Sequence, residues 1–472
     1  MHVLITVFFN APQGGLHENI LAAARYMLAR RHRVTVVCKP GPFAQRLRGA
    51  GAGVIETDYA PWAFAKALAA IEALHVEQPV DLVHAHPFAS RQLGLIVAQV
   101  LGLPFVVTLH GKYVDALPSY IEQTDAVFTV SEGIRHYLLT EGGIEAPEKL
   151  HVVPNTPDAK LFKAGKVAPP KEAGGRVVVS LVTRLDQDKA FILEVFYQAV
   201  AHAAEHYPGR IHWQVVGQGT QEQAFAEKVE TLRGDNSVSY TGWLQDEALR
   251  DAYCRSDAVI APGRCALEAM SCAVPAIALG SKGYSGLVDS STWQQAVFTN
   301  FGGVGNRHES YTAGAVEQDL DSLMVSAAQR RRLGRFGRQV VRQFFDAGQM
   351  HKRLLGFYTL AVAAHQASPR EALPSEGVLE LRLRDLKVHQ PDRHTLQLEV
   401  LCEPVDGLSF AWYLLRVGDA GTANETLEKH PYRPDAQHTL TLPGPGRYQV
   451  RCFVQDNARH KHSFLSPIVK VP

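Results

Sequence analysis

"RVVVSLVTRLDQDKA", Arg176 to Ala190, is the stretch on which the reading of the chain turns. Its first half, with four valines, has the length and β-branched composition of a buried strand. It then meets Arg184 and, five residues on, Lys189 at the start of a helical pattern. A cation at a helix N-terminus is unfavourable by a few tenths to about 1 kcal/mol, a cost that a bound anion offsets. An arginine grips phosphate oxygens with two N–H groups and a lysine adds a point charge. A solvated surface pair flanked by Asp186 and Asp188 accounts for the stretch equally well, and the local sequence leaves both readings open.

Outward from this stretch, short β-branched runs alternate with longer helical patterns, the signature of parallel, doubly wound sheets. One series, from "HVLITVFF" to "KLHVVPN", occupies residues 2–155, and a second, from "RVVVSLVTRL" to "PAIALG", occupies 176–280. The Pro/Gly-punctuated "AGKVAPPKEAGG" between them reads as a boundary. Residues 327–367 are basic and helical in pattern, and "QASPREALPSEG" then leads into strands of alternating polarity. The organisation expected is a Rossmann-like domain over 1–165, a second over 176–365 with closing helices, and an all-β, immunoglobulin-like sandwich over 377–472.

The 48 Lys and Arg nearly cancel the 47 Asp and Glu among 472 residues, so no global field recruits nucleic acid, and any anion site is local. Six cysteines, at 38, 254, 265, 272, 402 and 452, form no C-x-x-C pair, which favours a reducing compartment, with a Cys402–Cys452 bridge left open. The apolar run 92–110 is broken by Gly102 and Pro104 and reads as helix, turn and strand rather than a membrane span. The N-terminus lacks a basic leader, and a cytoplasmic chain is expected.

Ligands of open α/β sheets bind beyond the carboxyl ends of the strands, so the turns there carry the chemistry. Gly14 and Gly15 precede a helix, where amides and the dipole can face an anion, although an ordinary tight turn explains a Gly-Gly as well. In "APGRCALEAMSC", Pro262 and Gly263 end a strand, and the amides of Arg264, Cys265 and Ala266 are expected free at a helix start, a second anion cradle. Glu268, one turn in, suits a pair of ribose hydroxyls. A surface glutamate complementing the helix dipole is the alternative.

The order "GGLHENI", "DLVHAH", "VVTLHG", "AVFTVSEGI", "VVPNTPD", "TRLDQDK", "WQVVGQG", "VSYTGW" and "LEAMSCAVPAIA" over residues 1–365 resembles the retaining nucleotide-sugar glycosyltransferases of family 4. The resemblance implies the GT-B fold, two Rossmann-like domains facing a cleft. It implies catalytic roles for His110 at the transferred sugar and for Arg184 and Lys189 at the pyrophosphate. Gly14, Gly15 and Gly217 would approach the donor, Trp243 and Leu244 would hold the base, and Glu268 the ribose. For His110, a structural hydrogen bond at the end of a strand is the alternative.

The sequence departs from the family where paired glutamates are usual: Ile260 stands in the first position, and the loop is shortened to "PGRCA". Contacts to the donor sugar are therefore expected from Gly263, Arg264, Cys265 and Ala266, and from a second amide-rich loop at Gly283, Tyr284, Ser285 and Gly286. Thr183 and Ala190 replace glycines around the cationic pair. The implied reaction transfers a sugar, with retention, from a UDP- or GDP-sugar to a hydroxyl of a glycan or lipid-linked glycan in capsule, exopolysaccharide or lipopolysaccharide synthesis. No cofactor or metal is expected, since Arg184 and Lys189 together suit a departing pyrophosphate without one. Two alternatives stay open: a GT-B sugar-nucleotide epimerase, and a degenerate scaffold or interaction protein.

The sandwich is open to acceptor binding, to peripheral membrane or polysaccharide-assembly docking, or to stabilisation alone. Its Trp412, Tyr413 and Tyr448 read first as core and second as sugar platforms, and His460 and His462 first as a solvated turn and second as metal ligands.

Overall fold

The computed structural model describes residues 1–9, 14–305, 311–375, 378–403, 405–418, 424–457, 459 and 461–471. The first series of strands comprises β1 (His2–Thr6), β2 (Arg33–Cys38), β3 (Gly53–Glu56), β4 (Leu82–Ala85), β5 (Phe105–Leu109), β6 (Ala126–Thr129) and β7 (Leu150–Val152). The second comprises β8 (Val177–Val182), β9 (Ile211–Val216), β10 (Ser237–Gly242), β11 (Ala258–Ala261), β12 (Ala276–Gly280) and β13 (Gly283–Leu287). The third comprises β14 (Leu383–Asp392), β15 (Thr395–Cys402), β16 (Ser409–Arg416), β17 (Glu425–Arg433), β18 (Gln437–Thr441), β19 (Gly446–Gln455), β20 (Lys461–Leu465) and β21 (Val469–Val471).

The chain clusters into two compact units, one of residues 1–12, 31–105 and 361–472, the other of 13–30 and 106–360. In the first unit β1 to β4 pair in parallel in the order β3-β2-β1-β4 and are buried almost throughout β1, β2 and β4. Such uninterrupted apolar strands suit sheets covered on both faces. The same unit holds the C-terminal domain, two antiparallel sheets, β14-β15-β18 and β17-β16-β19-β20 with β21 on β19, over a core that includes Leu398, Phe410, Leu414 and Val450.

Trp412 and Tyr448 belong to that core, and the Tyr448 hydroxyl donates to Gly444 O at 2.8 Å, a tie of the kind that pins the corner of immunoglobulin-type sandwiches. Tyr413 points to the other face and is half-buried. Cys402 and Cys452 are buried free thiols. His462 corrects its sequence reading as a solvated turn: it lies in β20, buried, with Nδ1 3.7 Å from Glu380 Oε1, because strand alternation turns it inward. His460 lies outside the described residues.

In the second unit β5, β6 and β7 pair in parallel, and the six-stranded sheet runs β10-β9-β8-β11-β12-β13. Its first strand, β8, sits centrally with β9 on one side and β11 on the other. The connections leave in opposite directions there, and the carboxyl ends of β8 and β11 open a crevice. Helix Ala190–His206 buries Phe191, Ile192, Val195, Phe196 and Ala199 against the sheet, with Trp213 edge-on to Phe196. The basic region forms helices Ala327–Phe344 and Ala347–Ala367, as its pattern predicts, and the second unit ends at Leu360 within the latter. Among the described residues no helix is long and apolar enough to cross a membrane.

Candidate functional site

Beyond the ends of β8, β9 and β11 lies a cavity of about 360 Å³. Each wall is set by local chain chemistry. Gly217 ends β9 with φ of +143°, and a Cβ there would fall 1.9 Å from Thr183 O, so glycine is required for the ends of β8 and β9 to meet. Gly14 and Gly15 differ. Gly14 caps helix Gly15–Leu28 with φ of −78°, and a Cβ on either would meet neighbours only at ordinary contact distances. Neither backbone nor packing demands them; what they leave is space on the cavity wall.

Arg184 and Lys189 follow β8 and line the cavity, Lys189 as the cap of helix Ala190–His206. Their charges are held by their own turn. Arg184 donates to Asp186 Oδ2 at 2.7 Å and Asp188 Oδ2 at 3.0 Å, and Lys189 to Asp188 Oδ2 at 2.7 Å. Asp186 is fixed in turn by the Thr220 amide at 2.9 Å. Burial works to raise the Asp188 pKa, but Lys189 and Arg184 outweigh it and hold the carboxyl below its ordinary value.

The opposite wall is helix Gly263–Ser271, capped by Pro262. The Gly263 amide donates to Phe301 O at 3.1 Å and the Ala266 amide to Pro262 O at 3.3 Å. The cradle expected of three amides therefore loses Ala266, whose N–H closes the first helical turn; Arg264 and Cys265 supply the two without a helical acceptor. Arg264 Nε donates to Glu268 Oε1 at 2.7 Å, and Tyr253 donates to Glu268 Oε2 at 3.1 Å, with the Arg264 and Glu268 side chains only 9% and 6% exposed. Burial raises the Glu268 pKa, opposed by Arg264 and Tyr253. Cys265 is pushed up to about 12 by burial, so its thiol stays protonated.

His110 follows β5 and lines the cavity; burial first, and His17 second, lower its pKa to about 3, which keeps the imidazole neutral at ordinary pH. Trp243 and Leu244 complete the wall beyond β10. Four buried polar atoms on this one cavity have no hydrogen-bond partner among the described residues: Asn155 Oδ1, Thr183 Oγ1, Trp243 Nε1 and Arg264 Nη1. Buried polar groups are almost always paired, so their convergence marks where a polar ligand would supply the partners.

Of the residues singled out in the sequence, Gly14, Gly15, His110, Arg184, Lys189 and Gly217 line the cavity, as do Trp243, Leu244, Gly263, Arg264, Cys265 and Glu268. Ala266 is buried in its helix. Gly283, Tyr284, Ser285 and Gly286 are not brought there: the expected loop is strand β13, antiparallel to β12. Tyr284 donates to Asp319, and the Leu287 amide to the same carboxylate at 2.7 Å. The glycines here serve chain contact: a Cβ on Gly286 would lie 2.9 Å from Asp319 Oδ2, and Gly302, whose own Cβ would lie 2.5 Å from Gly283 O, passes close beside the strand. Sequence reasoning gave no role to Asn155, Asp158, Glu18 or Arg25, which also line the cavity; Asn155 and Asp158 lie in the quoted "PNTPD" turn.

The profile described as Glycosyltransferase Family 4 matches residues 13–161, and that of Glycosyl transferases group 1 matches 176–299. The chain is a family 4-type glycosyltransferase with the GT-B fold. This glycosyltransferase is 26% identical over 367 residues to the 2-deoxystreptamine N-acetyl-D-glucosaminyltransferase of Streptomyces fradiae, covering 70% of this chain and 82% of that one. It is 26% identical over 251 residues to the D-inositol 3-phosphate glycosyltransferase of Kribbella flavida; this covers 46% of the chain and spans only 58% of that relative. In fold it is similar to a glycosyltransferase from Rickettsia africae, at TM-score 0.60 and 18% identity over 76% of this chain and 98% of that one. It is similar also to Anabaena HepE in complex with UDP-glucose, at TM-score 0.57 and 17% identity over 76% of this chain and all of that one.

Proposed function

We propose that this glycosyltransferase moves a sugar from a UDP- or GDP-sugar to a hydroxyl of a glycan or lipid-linked glycan, with retention at the anomeric carbon, in capsule, exopolysaccharide or lipopolysaccharide synthesis. The observation that carries the reading is the cavity itself. It has the size of a small-ligand site, two cations at one wall, a helix start with a carboxylate at another, and four unpartnered buried polar atoms on its surface. The UDP complexes known for HepE, a protein of the same fold, support a uridine nucleotide as the first donor to test.

In this reading the diphosphate lies against Arg184, Lys189 and the Arg264 and Cys265 amides, and the base rests by Trp243 and Leu244. Gly14 and Gly15 leave room for the phosphate and sugar to approach the start of their helix. The bond from the anomeric carbon to the phosphate oxygen breaks as the bond from the acceptor oxygen forms on the same face. The departing phosphate oxygen takes the acceptor proton. The protein's part is positioning and charge stabilisation, with Arg184 and Lys189 meeting the charge that develops on the leaving group. Neutral His110 holds the transferred sugar by a hydrogen bond rather than donating a full proton. The proposal assigns the leaving-group charge to side chains without a metal, so turnover should persist in a chelator.

Calorimetry with UDP, GDP, ADP and their sugar conjugates, followed by NMR of the product's anomeric proton, tests this. Selective tightening with one conjugate and a retained configuration support it. Release of an epimerised sugar nucleotide without acceptor would favour an epimerase. No binding by any nucleotide would sink the donor site and leave a scaffold, a reading to which Glu268 lends weight because both of its oxygens are already engaged.

A further inference from the structure

Helix Ala327–Phe344 carries six arginines and no acidic residue in a chain whose charges otherwise nearly cancel. Its orientation is fixed by packing: Leu333, Gly334, Gly337, Val340 and Val341 face inward. A Cβ on Gly334 would fall 2.0 Å from Ala273 O, and one on Gly337 2.9 Å from Met270 Cγ, so the helix backbone lies directly on its neighbour. Arg331, Arg335, Arg338 and Arg342 then recur at i, i+4, i+7 and i+11, a single stripe turned away from that buried side. Arg332 lies beside it.

Arg330 is spent within the protein, donating to Leu323 O at 2.9 Å and facing Asp257 at 3.4 Å. The side chains of Arg331, Arg332, Arg335, Arg338 and Arg342 make no ion pair or hydrogen bond among the described residues. Like charges at helical neighbour spacing repel one another, so the stripe is unfavourable until anions face it.

We propose that this stripe docks the chain on an anionic lipid surface, with guanidinium groups on lipid phosphates. The stripe extends about 16 Å along one convex helix, at 1.5 Å per residue, and presents cations to a plane rather than a groove. Arginine's planar fork matches phosphate oxygens. Val325, 68% exposed at the approach to the helix, offers an apolar contact that a headgroup layer accommodates. A glycan surface would need open aromatic faces. The helix's two aromatics do not provide them, since Phe336 packs on the core and Phe344 stacks on Trp293 with centroids 4.9 Å apart.

Sedimentation of the full chain with phosphatidylcholine vesicles, with and without phosphatidylglycerol, tests the proposal. Binding should require phosphatidylglycerol and weaken as salt rises. The variant R331Q/R335Q/R338Q/R342Q should lose at least about tenfold in partitioning with an unchanged melting temperature, while the four Arg→Lys changes should retain most of it. Absence of binding to either vesicle, or equal binding by the glutamine variant, overturns the proposal. Binding to dextran sulfate but not to phosphatidylglycerol vesicles overturns it in favour of an anionic glycan.

Discussion

Arg184 and Lys189 share half-exposed carboxylates, whereas Arg264 shares a buried one, although all three cations line the same cavity. The difference bears on what each can do. An exposed pair contributes about 0–1 kcal/mol, is screened by salt, and yields its partner easily to an incoming dianion. A buried pair gains little over an apolar core of the same shape, but removing one member leaves a charge with nothing to compensate it. The β8 turn is therefore suited to exchange carboxylate for phosphate, while Arg264, Glu268 and Tyr253 hold helix Gly263–Ser271 in place.

The largest effect follows for the buried side. Arg264→Ala should destabilise the protein by about 3–5 kcal/mol, because Glu268 would keep its charge at 6% exposure with Tyr253 alone. Thermal unfolding without ligand measures this, and the double variant Arg264→Ala/Glu268→Gln should cost clearly less than Arg264→Ala alone because no charge is stranded. If the two variants melted alike, the pair would not be the structural tie described.

Next in size is the exposed side. Lys189→Ala and Arg184→Ala should each weaken nucleoside diphosphate binding by about 10- to 100-fold, the scale of a lost hydrogen bond to a charged group. Their melting temperatures should barely move, since surface pairs of this kind are weak. Calorimetry and melting on the same samples separate the two quantities. A Lys189→Ala variant that bound UDP and GDP normally would displace the phosphates from this turn.

Acid titration sharpens the contrast through its sign. Asp188 is held below its ordinary pKa, so its stabilisation is complete above about 3.9 and is lost as pH falls through the lower folded value. Glu268 is raised, so its penalty is absent at low pH, grows as pH rises past about 4.3 and is complete above the folded value. Melting curves through the carboxylate range should therefore show Asp188→Asn removing part of the acid loss. Glu268→Gln should remove an opposing gain. Identical pH profiles for wild type and both variants would mean that neither carboxyl is perturbed.

Much of this arrangement is legible in the sequence because it rests on local rules. Alternating strands and helices give the parallel sheets, the valines of 177–182 give β8, and Arg264 and Glu268 are spaced to meet on one helix. Tyr253 is not legible as their partner, since it arrives from another helix. Glycine misleads at β13: a glycine-rich run reads as a loop that admits a ligand, but the neighbour that comes close is the chain itself at Gly302. At Gly14 and Gly15, on the cavity wall, a Cβ would meet neighbours only at ordinary contact distances, and the same sequence signal covers both cases. His462 was misread for the complementary reason, because a polar, basic run hides the alternation that buries every second residue.

The smallest effect concerns Asp188, which binds both cations that a diphosphate would need. Because the carboxylate must give way or share, Asp188→Asn should strengthen diphosphate binding, by severalfold at most, since the competing pairs are worth about 0–1 kcal/mol each. The gain should shrink with added salt, which weakens the competing pairs in the wild type. Asp186→Asn should do less, because Asp186 also accepts the Thr220 amide at 2.9 Å and its loss loosens the turn that positions Arg184. Calorimetric titration of wild type and both variants at low and high salt decides the matter. Weaker binding by Asp188→Asn would show that this carboxylate organises the two cations for the ligand instead of competing with it.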